Sequence, residues 1–218
     1  MNKLNRSVLL TSLARALVGT FLVFVCFSSQ VHAGVFGIPH FVPSGDLSLG
    51  LEPEFTLSSG AGVGLNLKVT QGLSDLVNVT GVIGTGSGPR RFRFGGDIAF
   101  DFFPDAEGQP GIGLALQGMY YRLKDSSQVE ITTVPYVHKA FLLANRSQKE
   151  EKEEKMEFEP FIAIPFGIGI SGGTNPALSS VVLGSLFKSS EKLRFVLEFG
   201  IAINNTESYI AGGLIYYR

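Results

Sequence analysis

Few residues of this 218-residue chain are of a type that does chemistry, and they do not fall into reactive spacings. Beyond residue 33 there are two histidines, His40 and His138, and no cysteine, because Cys26 lies before that point. No His-x-x-x-His, cysteine cluster or carboxylate spacing suggests a metal site. Gly-x-Ser-x-Gly is absent, and His138 has no evident Ser and Asp partners for a hydrolytic triad. The run Gly84 to Gly88 lacks the Lys and the helix of a phosphate cradle and reads as a hairpin loop. The expectation is a chain without catalysis, metal or cofactor, in which His138 is buried and hydrogen-bonded.

What remains is a set of charges in a particular pattern. In Arg91-Phe92-Arg93-Phe94-Gly95-Gly96-Asp97-Ile98-Ala99-Phe100-Asp101-Phe102, apolar and charged or small residues alternate. Only an extended strand sorts them, with Phe92, Phe94, Ile98, Phe100 and Phe102 on one face and Arg91, Arg93, Asp97 and Asp101 on the other. The same alternation places Leu47, Leu49, Leu51, Phe55 and Leu57 opposite Glu52 and Glu54, and Val63, Leu65, Leu67 and Val69 opposite Lys68. Glu159, Arg194 and Glu198 complete the polar face. The chemistry open to these ten groups is mutual neutralisation: Lys68 meets Glu52 or Glu54 if the first two strands pair as a hairpin. Alternatively, Arg91, Arg93 and Arg194 face Glu52, Glu54 and Glu159 across a narrow water path.

The elements that carry the charges are about ten strands. They run from Leu47 to Leu57, Gly62 to Thr70, Leu76 to Gly84, Arg91 to Phe102, Gly111 to Leu123, Val129 to Phe141, Glu157 to Gly169, Leu178 to Lys188, Leu193 to Asn204 and Tyr209 to Tyr217. Gly72-Leu73-Ser74-Asp75 reads as a compact reversal, and the other separators are short and rich in Gly, Ser, Asn, Asp or Pro. Pro53 falls on an apolar face, where it removes a ladder hydrogen bond. The charged run Arg146 to Lys155 reads as a solvated loop. Short connections without a helical crossover make an antiparallel up-and-down meander.

The first 33 residues are a different object. Lys3, Arg6 and Arg15 precede or open an apolar run from Ala16 to Phe27, followed by Val31-His32-Ala33, the layout of a secretory signal peptide cleaved near Ala33. Residues 34–46, with Pro39 and Pro43, read as an irregular lead-in, and 47–218 as one domain of strands. Of eighteen basic residues, three fall in the signal; the remaining fifteen face nineteen acidic ones, a net of −4. That balance does not suggest nucleic acid. Without cysteine, the exported chain depends on topology and burial for stability.

Period two does not say which face looks outward, so composition decides. The apolar face is nearly free of charge, while the polar face mixes both signs with many of the 27 glycines. Small residues that leave room for long charged neighbours suit a narrow lumen. Charged residues make up 17% of the chain against about 25% in soluble domains. On these features the chain resembles bacterial outer-membrane β-barrel proteins of the small, roughly 8–12-stranded class. Its last strand is similar to their C-terminal sorting signal, with Gly212, Ile215 and Tyr217 in the places of the glycine, the spaced hydrophobic and the final aromatic, although Arg218 follows. The resemblance implies a transmembrane barrel in the outer membrane, with membrane lipids and the barrel-assembly machinery as partners. In the absence of Trp, Tyr120, Tyr209, Tyr216 and Tyr217 are candidates for the interfacial belt.

Three functions are consistent with this reading. One is a structural or anchoring barrel with an ion-paired, largely filled lumen. Another is a narrow porin-like channel for ions or small solutes. The third, from another class, is an exported soluble ligand-binding barrel.

Overall fold

The computed structural model describes residues 42–58, 61–87, 90–106, 108–143 and 156–218. The expected signal peptide, the lead-in up to Phe41 and the charged run Arg146 to Lys155 lie outside the described residues. The strands are β1 (Leu47–Thr56), β2 (Gly62–Ser74), β3 (Val77–Gly86), β4 (Arg90–Phe103), β5 (Gly111–Leu123), β6 (Ser127–His138), β7 (Phe141–Leu143), β8 (Met156–Ala163), β9 (Phe166–Ser171), β10 (Ala177–Lys188), β11 (Leu193–Asn204) and β12 (Tyr209–Tyr217). There is no helix among the described residues.

These twelve segments make ten staves. The register Gln128↔Ser171, Tyr136↔Ala163 and Phe141↔Phe158 runs on without a shift, so β7 continues β6 and β9 continues β8. The stave expected from Glu157 to Gly169 is thus broken at Ile164-Pro165, where proline has no N–H to give the ladder. Backbone bonds from Ile164 N to Pro135 O (3.0 Å) and from Ser180 N to Pro165 O (3.0 Å) hold the break in place. Every neighbouring pair is antiparallel, and β12 pairs with β1, which closes the sheet. At Pro53 the β1–β12 ladder skips from Leu51↔Leu214 to Glu54↔Ala211, the gap expected of that residue.

Closure requires tilt, and the register records it. From Leu47, the first residue of β1, successive cross-strand partners are Gln71, Val79, Ile98, Leu116, Thr133, Phe166, Ser179 and Asn204. Asn204 lies beyond the level of Tyr209, whose partner on β1 is its last residue, Thr56. One circuit therefore climbs the barrel by about a dozen residues, the stagger that strands tilted at about 35–45° demand.

The two faces separate as period two requires. Leu49, Leu51, Phe94, Ile98, Leu116, Ile131, Phe195 and Leu214 are exposed on the outside, while Ala99, Ala115, Val134, Tyr136, Phe161, Val182, Tyr209 and Ile215 form a buried cluster inside. Tyr209 and Tyr217 belong to this interior and are not belt residues; Tyr216 is exposed and Tyr120 packs on Phe94 with ring centroids 5.0 Å apart. Rings fit inside because glycines face them. A Cβ on Gly113 would collide with the Tyr136 hydroxyl, and one on Gly200 with the Tyr209 ring.

Both ends of the described barrel, Leu47 and Tyr217, lie at one mouth, here the terminal mouth, together with the ends of β4 and β7, the start of β8 and the connections at 75–76 and 189–192. The connections at 124–126, 172–176 and 205–208, with Leu57, Ser58, Ala61 and Ser87, ring the far mouth. At the terminal mouth the chain corrects a sequence expectation. Gly72 is not a turn residue: β2 continues to Ser74, with a register shift between Gly72 and Ser74. Its N–H and C=O bond Asp46 O (3.1 Å) and Gly45 N (2.9 Å), and a Cβ there would strike the carbonyls of Val42 and Pro43. The end of the lead-in thus docks on Gly72 and buries Val42 among the interior residues.

Candidate functional site: the charged interior

The alternation of β1, β2 and β4 turns a belt of ionic side chains into the barrel. Lys68 Nζ lies 2.5 Å from Glu52 Oε2, across the first hairpin, with both side chains 4% exposed. Glu198 from β11 and Asp97 from β4 lie within electrostatic reach of the same ammonium. Beside this group Arg93 Nη1 donates to both oxygens of Glu54 at 3.2 Å, and Asn66 Nδ2 donates to Glu54 Oε2 at 3.4 Å. Gly64 and Gly84 make room for the guanidinium, since a Cβ on either would strike it. Tyr209 Oη donates to Glu198 at 3.4 Å, and the hydroxyls of Thr70 and Thr80 meet at 3.2 Å. Across the lumen Gln128 Nε2 donates to Glu130 (2.9 Å) and Thr132 to Gln117 (3.3 Å). Buried polar groups need such partners, and in these pairs the side chains supply them to one another, while Asn66 Oδ1 and Gln128 Oε1 are buried without a hydrogen bond.

A second group sits nearer the terminal mouth. His138 Nδ1 is 2.6 Å from Glu159 Oε1, and its Nε2 is 3.6 Å from Asp101 Oδ2. To reach β4 from β6 the imidazole crosses β5 over Gly111, where any Cβ would hit it. Tyr136 makes the parallel crossing over Gly113 and donates to Phe100 O at 3.1 Å. Glu159 also faces Arg194 at 3.9 Å, and Arg194 lies 4.7 Å over the ring of Tyr217. At the rim Asp105 holds Lys139 Nζ (2.5 Å) and Ala140 N (2.6 Å), tying the β4–β5 connection to the junction of β6 and β7.

Nine of the ten charges expected inside face the lumen or its mouth: Glu52, Glu54, Lys68, Arg93, Asp97, Asp101 and Glu198 are buried, while Glu159 and Arg194 are half-buried. Arg91 does not join them. A register shift between Arg90 and Phe92 makes it the extra residue of a bulge, and it is exposed at the far mouth. Sequence reasoning missed Glu130, which shares the inward phase of Gln128, Thr132 and Val134, and Glu207, which enters from the connection before β12. These two add to the acidic excess already present in the expected set. Among the described residues, seven buried carboxylates (Glu52, Glu54, Asp97, Asp101, Glu130, Glu198 and Glu207) share the interior with two permanent cations, Lys68 and Arg93, and with His138. The three residues of the terminal motif do not share a face: Gly212 lies on the outer side, while Ile215 and Tyr217 are buried inside.

No group of three or more His, Cys, Asp or Glu side chains is placed to hold a metal ion among the described residues. No protein-family model matches the chain, and no curated protein matches it. Among solved structures, a chain described under "De novo design of transmembrane beta-barrels" is similar over 82% of this chain and 100% of its own length, at 12% identity and a TM-score of 0.37.

Proposed function

We propose that this chain is an integral membrane protein of the bacterial outer-membrane kind, exported by cleavage near Ala33. Its filled barrel serves a structural or anchoring role, without catalysis or cofactor. The observation that carries this reading is the inversion of sidedness: exposed Leu, Ile, Val and Phe from every stave surround an interior that holds the carboxylates. Water tolerates contiguous apolar patches of only a few hundred Å². Hydrocarbon removes that penalty, and a closed ladder pairs its backbone groups internally without an open edge. Strands of 9 to 14 residues in most staves suit a tilted crossing. A cation on the outside at mid-depth would cost about 2–4 kcal/mol, and the described staves carry none there.

The test is a nitroxide attached through Phe94→Cys in the chain lacking residues 1–33, which is otherwise free of cysteine. Co-flotation with phospholipid vesicles, and relaxation of the label by oxygen but not by an aqueous nickel chelate, are expected. A chain that stays in aqueous buffer without detergent, with a water-exposed label, would overturn the proposal and favour the soluble ligand-binding barrel.

One observation favours a narrow conduit as the second reading. The excess of interior carboxylates suits passage of cations over anions. Stable unitary currents in planar bilayers, with a reversal potential that shifts when Glu198→Gln is introduced, would replace the structural role by the channel.

A further inference from the structure

The outer wall of β3, β4 and β5 differs from the rest of the barrel. Arg91, thrown out by its bulge, and Arg122, on the outward phase of β5, are exposed at the far mouth beside Lys124 in the next turn. Their side chains make no hydrogen bond or ion pair among the described residues, and Asp125 is the neighbouring carboxylate. The other described connections of this mouth carry no exposed charge, since Glu207 is buried. Toward the middle of the barrel, Gly81, Gly96 and Gly118 are consecutive cross-strand partners on the outer face. A Cβ on Gly81 or Gly118 would meet nothing within 4 Å. The wall is therefore low across three staves. It is bordered toward the cations by Ile83, Phe94 and Tyr120, and on the other side by Val79, Ile98 and Leu116. From Gly118 to Arg122 is four residues, a distance of about 14 Å along a strand and within the length of one lipid leaflet.

We infer that this wall is a binding site for a single anionic phospholipid, its phosphate held by Arg91, Arg122 and Lys124 and an acyl chain laid across the glycine furrow. Charge complementarity selects the occupant. Cations at the edge of an apolar belt attract anionic headgroups, and a planar guanidinium matches phosphate oxygens in pairs. The furrow adds a place where a chain approaches the backbone without obstruction. The inference rests on the membrane reading above, and its test separates the two.

The experiment is native mass spectrometry of the detergent-solubilised chain lacking residues 1–33, titrated with dioleoyl phosphatidylglycerol or dioleoyl phosphatidylcholine. Vesicle co-flotation is measured in parallel. One phosphatidylglycerol retained in preference to phosphatidylcholine is expected. The pair Arg91→Gln and Arg122→Gln should lower that retention roughly tenfold or more, with unchanged far-UV circular dichroism and flotation. Gly118→Leu, which fills the furrow, should weaken retention of both lipids. Equal retention of the two lipids, or a preference that survives loss of both arginines, overturns the site while leaving the membrane reading intact. A dimer that Gly118→Leu dissociates overturns it in favour of a second copy of the chain on this wall. Failure to float with vesicles overturns both readings.

Discussion

Lys68 and Arg194 are both cations on the inner wall, each beside a glutamate, yet their surroundings are unlike. Lys68 lies 2.5 Å from Glu52 in the middle of the barrel, with both side chains 4% exposed. Arg194 stands 3.9 Å from Glu159 near the terminal mouth, where the side chains keep 20% and 15% of their exposure. In the first case neither partner has water to fall back on; in the second both do. Depth in the lumen, more than the presence of a pair, decides what each charge is worth.

The largest effect is therefore expected at the centre. Lys68→Met leaves Glu52, Glu198 and Asp97 around an apolar side chain, and removal of one member of a buried pair costs about 3–5 kcal/mol. Urea unfolding of the micelle-bound protein, followed by far-UV circular dichroism, should show this as a large drop in midpoint. Adding Glu52→Gln to Lys68→Met should recover much of the loss, because the carboxylate that the ammonium neutralised is then gone. A double variant no better than the single one would mean that Lys68 acts by packing rather than by charge.

Next in size is the glycine that lets a ring cross the wall. Gly113→Val drives a side chain into the Tyr136 hydroxyl and the Phe100 carbonyl, with an overpacking cost of about 1–3 kcal/mol. Tyr136→Phe removes the bond to Phe100 O, about 0.5–1.5 kcal/mol. The order of these two unfolding midpoints is the test. A costlier Tyr136→Phe would shift the importance from space to the hydrogen bond.

His138 is intermediate between centre and mouth, and sharpens the comparison. It joins Asp101 on β4 to Glu159 on β8, and His138→Phe leaves both carboxylates without it, for about 1–3 kcal/mol. Hydrogen exchange should report faster opening of amides around Gly111 and Phe161 than around Lys68. Uniform acceleration along all staves would show that the mouth and the centre open as one unit.

How far this gradient was legible in the sequence depends on where each residue sits. Residues in mid-strand, such as Glu52, Lys68, Asp97 and Glu198, took their face from alternation alone, because a strand allows only two directions. Glu130 obeys the same rule, but the threonines of β6 blur its two faces. Arg91 escapes alternation because a bulge adds one residue and resets the phase, and nothing in Arg90-Arg91-Phe92 marks it. Glu207 and Val42 enter the barrel from connections, where no period exists to read. The break at Pro165 did carry a signal, a proline within a strand pattern, whereas the docking of the lead-in on Gly72 depends on a contact between segments that alternation does not encode.

The smallest effect is expected for Arg194→Gln, and it is the one that most directly tests the gradient. Its ion pair is long and half-solvated, a situation worth about 0–1 kcal/mol, and its place over the Tyr217 ring adds about 0.5–1 kcal/mol at such exposure. Glutamine keeps much of the side-chain length, so the packing loss is small. A double-mutant cycle with Glu159→Gln should give a coupling of no more than about 1 kcal/mol, and that coupling should shrink in added salt as an exposed pair does. The Lys68–Glu52 cycle should be several times larger and nearly insensitive to salt. If the two cycles agreed in size and in salt response, the mouth would be as dry as the centre, and a lumen graded from solvated rim to desolvated middle would have to be given up.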